Sequence, residues 1–183
     1  MPENGYNKLA SADTVNAEIK RIATELLMAH PESPLFVSLL RGANPFTAKL
    51  MFELVRQQRS YHPEVDYLMI STYGSGREAG KPKIITDLAP NTDVSGRTIV
   101  VIDDVLDKGV TADFAFAHLK ERGAVQTELA VLCDKQTDRV KDIEATYKGF
   151  TFDDNWLTGM GMDNAGESKE AYCWLDEIWE VQK

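Results

Sequence analysis

Residues 99–111 read IVVIDDVLDKGVT, and this stretch decides the fold. An apolar run suited to a buried strand ends in three acids within five positions, Asp103, Asp104 and Asp107. Gly109 and Thr111 follow and lead into a helical pattern over residues 111–122 carrying Phe114, Phe116 and Leu119, with Gly123 as its C-cap. The order is therefore strand, tight loop, helix N-terminus. Backbone N–H groups at such a junction, with the helix dipole, form an anion site. Gly109 lets the backbone approach a phosphate, and Thr111 is expected to cap the helix and offer its hydroxyl. Acids gathered just upstream repel one another, the more so when part-buried. A sugar phosphate suits both devices, its phosphate in the nest and its hydroxyls donating to Asp103 and Asp104, with room for a divalent metal. The same residues also fit an acidic loop that only caps a helix, or the metal pocket of a receiver domain. Receivers, however, draw their acids from separate strands rather than from one mid-chain loop.

Outward from this stretch, helix and strand patterns alternate. Val15, Ile19, Ile22 and Leu26 form one stripe of a helix over 13–28. LFVSLL (35–40) reads as a buried strand. Asn44 then reads as an N-cap before Pro45 in a helix reaching about Arg56. VDYLMIS (65–71) is a further strand, a glycine-rich loop follows, and a short strand is expected at 83–86. ELAVLCD (128–134) is another strand. Alternation of this kind predicts an α/β fold with a mostly parallel central sheet flanked by helices. From Tyr147 onward the alternation stops, and Phe150, Phe152, Trp156, Trp174 and Trp179 stand among acids and glycines. We read one domain over 1–183, with a core over about 30–146. A small hood is expected from about 147–183, helped by the N-terminus and packed at the sheet's carboxyl edge, where open α/β sheets bind ligands.

The chain has 183 residues and a formal net charge of -9, which argues against a nucleic-acid partner. No apolar run approaches the ~18 residues of a membrane span, so no membrane partner is expected and a cytoplasmic location is. Cys133 and Cys173 lack metal-site or disulfide-framework spacing and read as free thiols. His30, His62 and His118 have no evident partners in sequence and are read as structural or solvated.

The central stretch resembles the phosphoribosyl-diphosphate signature of type I phosphoribosyltransferases: apolar strand, two acids, two apolar residues, then Asp-Thr-Gly-x-Thr. Three further stretches agree in order. SLLRGANPF (38–46) resembles the pyrophosphate loop, and MISTYGSG (69–76) the start of the mobile catalytic loop. VLCDK (131–135) with FTFDDNWLTGMGMDN (150–164) resembles the purine-binding parts of the hypoxanthine-guanine (6-oxopurine) branch. The resemblance implies transfer of a phosphoribosyl group from phosphoribosyl diphosphate to a free purine base, with magnesium (Mg2+), in a homodimer or homotetramer. It places Asp103 and Asp104 at the ribose hydroxyls and metal, and Asp107 as the general acid or base facing purine N7. Lys108, Gly109, Val110 and Thr111 would hold the 5′-phosphate. Arg41, Gly42 and Lys169 would meet pyrophosphate. Thr72 and Tyr73 would hinge a loop, running to about Lys83, that closes over the site.

Lys135 would donate to a 6-oxo group and N7, since an ammonium cannot accept from a 6-amino group; it also fits a surface lysine in a polar stretch. Trp156 would stack on the base, and equally fits a core tryptophan. The Leu157 backbone would read the base edge. Asp163 would serve the far edge or a second magnesium, and equally fits a turn aspartate. The chain departs from the pattern in Lys108 for the usual Thr or Ser, in Lys169 for an arginine, and in Asp103 for the commoner Glu. A regulator of the same fold, binding phosphoribosyl diphosphate or nucleotide with little catalysis, is the alternative.

Overall fold

The computed structural model describes residues 5–73, 79–164 and 171–182. Strand β1 (Tyr6–Ala10) leads into helix α1 (Ala12–Ala29), whose Ser11 side chain accepts from the Thr14 N–H as N-cap. Then follow β2 (Leu35–Leu40), α2 (Asn44–Gln57), β3 (Glu64–Tyr73) and β4 (Ala79–Thr86). Next are β5 (Thr98–Leu106), α3 (Val110–Glu121) and β6 (Gln126–Lys135). The chain ends with β7 (Tyr147–Phe152), β8 (Trp156–Thr158) and β9 (Ile178–Val181).

Six strands form one sheet in the order β4-β3-β2-β5-β6-β7, parallel throughout except for the antiparallel edge pair β3–β4. Period-two alternation splits the core into two layers. Phe36, Val100, Ile102, Ala130 and Leu132 face the layer holding Ile19, Leu26, Phe46 and Leu50 of α1 and α2. Leu35, Val37, Ile99, Val101, Leu129 and Val131 face the layer holding Ala112, Ala115 and Leu119 of α3. The mostly parallel α/β sheet is thus as expected.

The chain leaves β2 for one face and edge, and β5 for the other. The gap between the carboxyl ends of β2 and β5 is therefore a topological switch point, where such sheets bind ligands. Beside it lies a second sheet, antiparallel, in the order β1-β9-β8. The chain's first and last strands build it together.

Several local expectations are corrected. The stretch from Tyr147 does not open the hood: β7 pairs parallel with β6 and completes the main sheet. Its sequence hid this because the connection over 136–146 carries no helix. Asn44 is the first helical residue of α2 rather than its cap, which is Ala43. Strand β4 covers Lys83, so the loop after β3 is shorter than the sequence suggested. His30 does have partners, bonding Glu128 Oε2 at 2.9 Å and the Tyr147 hydroxyl at 3.2 Å, and His118 bonds Asp87 Oδ1 at 2.8 Å. Cys133 and Cys173 are both buried thiols. Among the described residues, no helix is long and apolar enough to cross a membrane.

Candidate active site

Strand β5 runs four residues beyond the apolar run that ends at Ile102, so Asp103 and Asp104 lie within the strand rather than in a loop. Only Asp107, Lys108 and Gly109 connect β5 to α3. Gly109 makes that connection possible. Its φ is +77°, a left-handed conformation that favours glycine, and a Cβ there would lie 3.1 Å from the Lys141 carbonyl oxygen. Because Gly109 turns the chain, α3 starts at Val110. Thr111 therefore sits inside the first turn and is not the cap expected of it. Among the described residues no side chain caps α3, which leaves an anion as a natural occupant of its N-terminus. The Lys108 carbonyl accepts from the Val140 and Lys141 N–H groups at 3.1 and 3.2 Å, bracing the nest from the segment after β6.

Adjacent Asp103 and Asp104 are both held well inside the cleft. Burial first, and the negative charge of Asp104 second, push the Asp103 carboxyl well above the ordinary carboxylate range. Burial also raises Asp104, and the charge of Asp163 adds to the rise. Its bond with Asp103 and the Val105 N–H, at 2.9 Å, work against it. The electrostatics thus bring Asp163, from the far end of the chain, into the field of the strand-end acids. A raised carboxyl makes the native state bind protons more tightly than the unfolded one. This contribution to stability is present at low pH and lost as pH rises from the ordinary carboxylate value through the raised one. With chelator present, Asp103→Asn is expected to melt higher than the parent at neutral pH. The gap should widen with pH by about 2–4 °C per kcal/mol of relieved repulsion. Thermal melts of both proteins across that window check it; a gap that narrows with rising pH would contradict the burial argument.

The loop after β2 closes over Asp104. The Leu40–Arg41 peptide is cis, and Arg41 is exposed at the mouth of the cleft. A Cβ on Gly42 would lie 2.1 Å from Asp104 Oδ2. From the other side, Gly161 (φ +98°) packs so closely that a Cβ there would meet the Gly42 carbonyl oxygen at 1.8 Å. The loop after β2, the end of β5 and the turn after β8 are therefore fitted to one another through two glycines.

At the opposite side of the cleft stands Lys135, the last residue of β6. It is 8% exposed, and its ammonium lies 3.4 Å from Asp107 Oδ2 and 3.2 Å from Asp154 Oδ1. The Thr137 hydroxyl donates to Asp107 Oδ1 at 3.2 Å. An open cleft of ≈ 410 Å³ beside them is lined by Lys108, Gln136, Thr137, Asp138 and Asp154. Trp156 is half exposed, unlike a core tryptophan, and its indole N–H donates to the Asp163 carbonyl at 2.9 Å. Leu157, next to it, is buried. Asp163 is itself exposed, while Asn164 is buried and accepts from the Tyr6 hydroxyl at 3.1 Å.

Thr72 and Tyr73 end β3. The glycine-rich loop beyond them and Lys169 lie outside the described residues. Sequence reasoning missed Thr137 and Asp154, which contact Asp107 and Lys135. Neither left a signal of its own in the sequence. Among the described residues, no three acids or histidines converge into a protein-only metal cage. The oxygen donors of Asp103 and Asp104 suit a hard cation that takes its other ligands from water and substrate.

The sequence matches the family described as "Phosphoribosyl transferase domain" over residues 5–165. The chain belongs to this family. It is 33% identical over 159 residues to the hypoxanthine-guanine phosphoribosyltransferase of Bacillus subtilis, a match that covers 86% of this chain and 84% of that one. It is 36% identical over the same length to the bifunctional protein TilS/HprT of Listeria monocytogenes, of which it spans 24%. A hypoxanthine phosphoribosyltransferase from Staphylococcus aureus superposes with a TM-score of 0.84 at 26% identity, covering 96% of this chain and 91% of the other.

Proposed function

We propose that this phosphoribosyltransferase-family chain is a purine-salvage enzyme. It transfers the phosphoribosyl group of phosphoribosyl diphosphate to a 6-oxopurine (hypoxanthine, guanine or xanthine), giving the nucleoside 5′-monophosphate and pyrophosphate. One observation carries the reading: a buried, donor-only lysine lies within 3.4 Å of an acid at the mouth of an anion nest. The pair can read a base and move its proton at one place.

In this mechanism the purine N9 forms its bond to ribose C1′ as the C1′–oxygen bond to pyrophosphate breaks. Asp107 takes the proton from N7. The transition state is oxocarbenium-like, so fixed charges count for most of the acceleration. Asp103 and Asp104 accept from the ribose hydroxyls. The N–H groups of Lys108 to Thr111 and the start of α3 hold the 5′-phosphate, with the Lys108 ammonium replacing the family's short hydroxyl. Arg41 and Gly42, with Lys169, hold pyrophosphate. Lys135 donates to the 6-oxo oxygen. Trp156 covers the base, and the Leu157 backbone and Asp163 serve its edges. Thr72 and Tyr73 hinge the loop that excludes water. Magnesium, held by Asp103, Asp104 and Asp163 together with substrate oxygens, would offset the diphosphate charge. Phosphoribosyl diphosphate and free base are the partners, and a homodimer or homotetramer in the cytoplasm completes the reading.

The test supplies magnesium, phosphoribosyl diphosphate and one base at a time, with the monophosphate product followed by chromatography. Hypoxanthine, guanine or xanthine should turn over, and adenine, orotate and uracil should not. Lys135→Met should lower kcat/KM for the 6-oxopurine about 10- to 100-fold, the cost of a lost charged hydrogen bond. Binding of phosphoribosyl diphosphate without turnover of any base would instead make the chain a regulator on this fold.

A further inference from the structure

The Lys135 ammonium has three N–H donors, and two carboxylates share it: Asp107, 3.4 Å away, and Asp154, 3.2 Å away. The two arrive from different places. Asp107 stands on the β5–α3 connection, and Asp154 on the segment joining β7 to β8, two residues before Trp156. Asp107 is also held at its other oxygen by Thr137. A carboxylate pinned at both oxygens, one of them by a cation, is poorly placed to turn toward a base. Its release requires that the ammonium have somewhere else to bond. Asp154 offers that place on the base side of the cleft, on the very segment that carries the aromatic cover.

We propose that Asp154 is a positioning residue: it holds the Lys135 ammonium toward the base, so that Asp107 is free to face the purine and the third N–H points at the 6-oxo group. This rests on the 6-oxopurine reading above. Asp154 touches neither the ribose nor the diphosphate in that arrangement, so its removal should weaken the base and spare the other substrate. Its side chain is 69% exposed, so the charge can be removed without a buried hole.

The experiment is steady-state kinetics of the parent, Asp154→Asn and Asp154→Glu, varying hypoxanthine and phosphoribosyl diphosphate separately. Asp154→Asn should raise the KM for hypoxanthine about fivefold, as fits an ion pair with one exposed partner. The KM for phosphoribosyl diphosphate should stay within twofold, and Asp154→Glu should restore the hypoxanthine value. A hypoxanthine KM unchanged in Asp154→Asn, or both KM values rising in parallel, would overturn the proposal while the parent's activity leaves the function standing. A parent inactive with every base would remove the functional reading, and this one with it.

Discussion

Asp107→Asn is expected to lower kcat for 6-oxopurine nucleotide formation about 10²- to 10⁴-fold, the range for loss of a positioned proton acceptor. The substitution is nearly isosteric. An asparagine carbonyl still accepts from Lys135 or from Thr137, so the contacts seen at 3.4 and 3.2 Å need not both be lost. What disappears is the ability to take a proton from the base at neutral pH. The KM for phosphoribosyl diphosphate should stay within a few-fold, since the proposed mechanism gives the ribose and phosphate contacts to Asp103, Asp104 and the nest. The melting temperature should move little, because the side chain is 41% exposed and bonds only at the cleft surface. Initial rates with hypoxanthine, alongside a thermal melt, check both halves. A loss in kcat below tenfold would move the proton chemistry to another group.

How much of this could be read from the sequence follows from the range of the interactions. Strand β5 and its nest were legible because every part of the signal lies within thirteen consecutive residues: apolar run, acids, glycine, helix. Strand β2 and the Pro45 helix start are local for the same reason. β7 was not legible. Its partner β6 is joined to it by a connection without a helix, so the strand–helix alternation that marks a parallel sheet is missing there. In the site, Asp103, Asp104 and Asp107 announced themselves by crowding. Lys135 and Trp156 each fitted a bland alternative, and only the fold distinguishes them. Burial of Lys135 between two acids rules out a solvated surface lysine, and half exposure of Trp156 rules out a core tryptophan. Thr137 and Asp154 depend on contacts across 30 and 19 positions, a range at which no pattern in one sequence speaks. Gly42 and Gly161 are a harder case still. Their requirement is a missing Cβ, which shows only once the two backbones are brought together.

That pair gives the second large expected effect. Gly42→Ala and Gly161→Ala are the same chemical change in two touching residues, yet they should fail differently. At Gly42 the intruding Cβ meets the tip of a side chain, Asp104 Oδ2 at 2.1 Å, and the φ is ordinary. Asp104 can rotate away, so the fold should survive with a small loss in melting temperature. The carboxylate then leaves the place proposed for the ribose hydroxyls, and on that reading the KM for phosphoribosyl diphosphate should rise about 10- to 100-fold, the worth of one or two charge-assisted hydrogen bonds. At Gly161 the Cβ meets a backbone oxygen at 1.8 Å, and φ is +98°. Neither the carbonyl nor the turn can yield without moving the loop after β2. That variant should lose about 2–4 kcal/mol of stability, from strain and steric displacement together. Kinetics and melts on both variants separate the cases, and a double variant decides the mechanism. If displacement of Asp104 is the cause, adding Asp104→Ala to Gly42→Ala should cost far less than Asp104→Ala costs alone, because the contact has already gone. Full additivity would mean that Asp104 stays in place, and that Gly42 acts through its own backbone, at the place proposed for pyrophosphate.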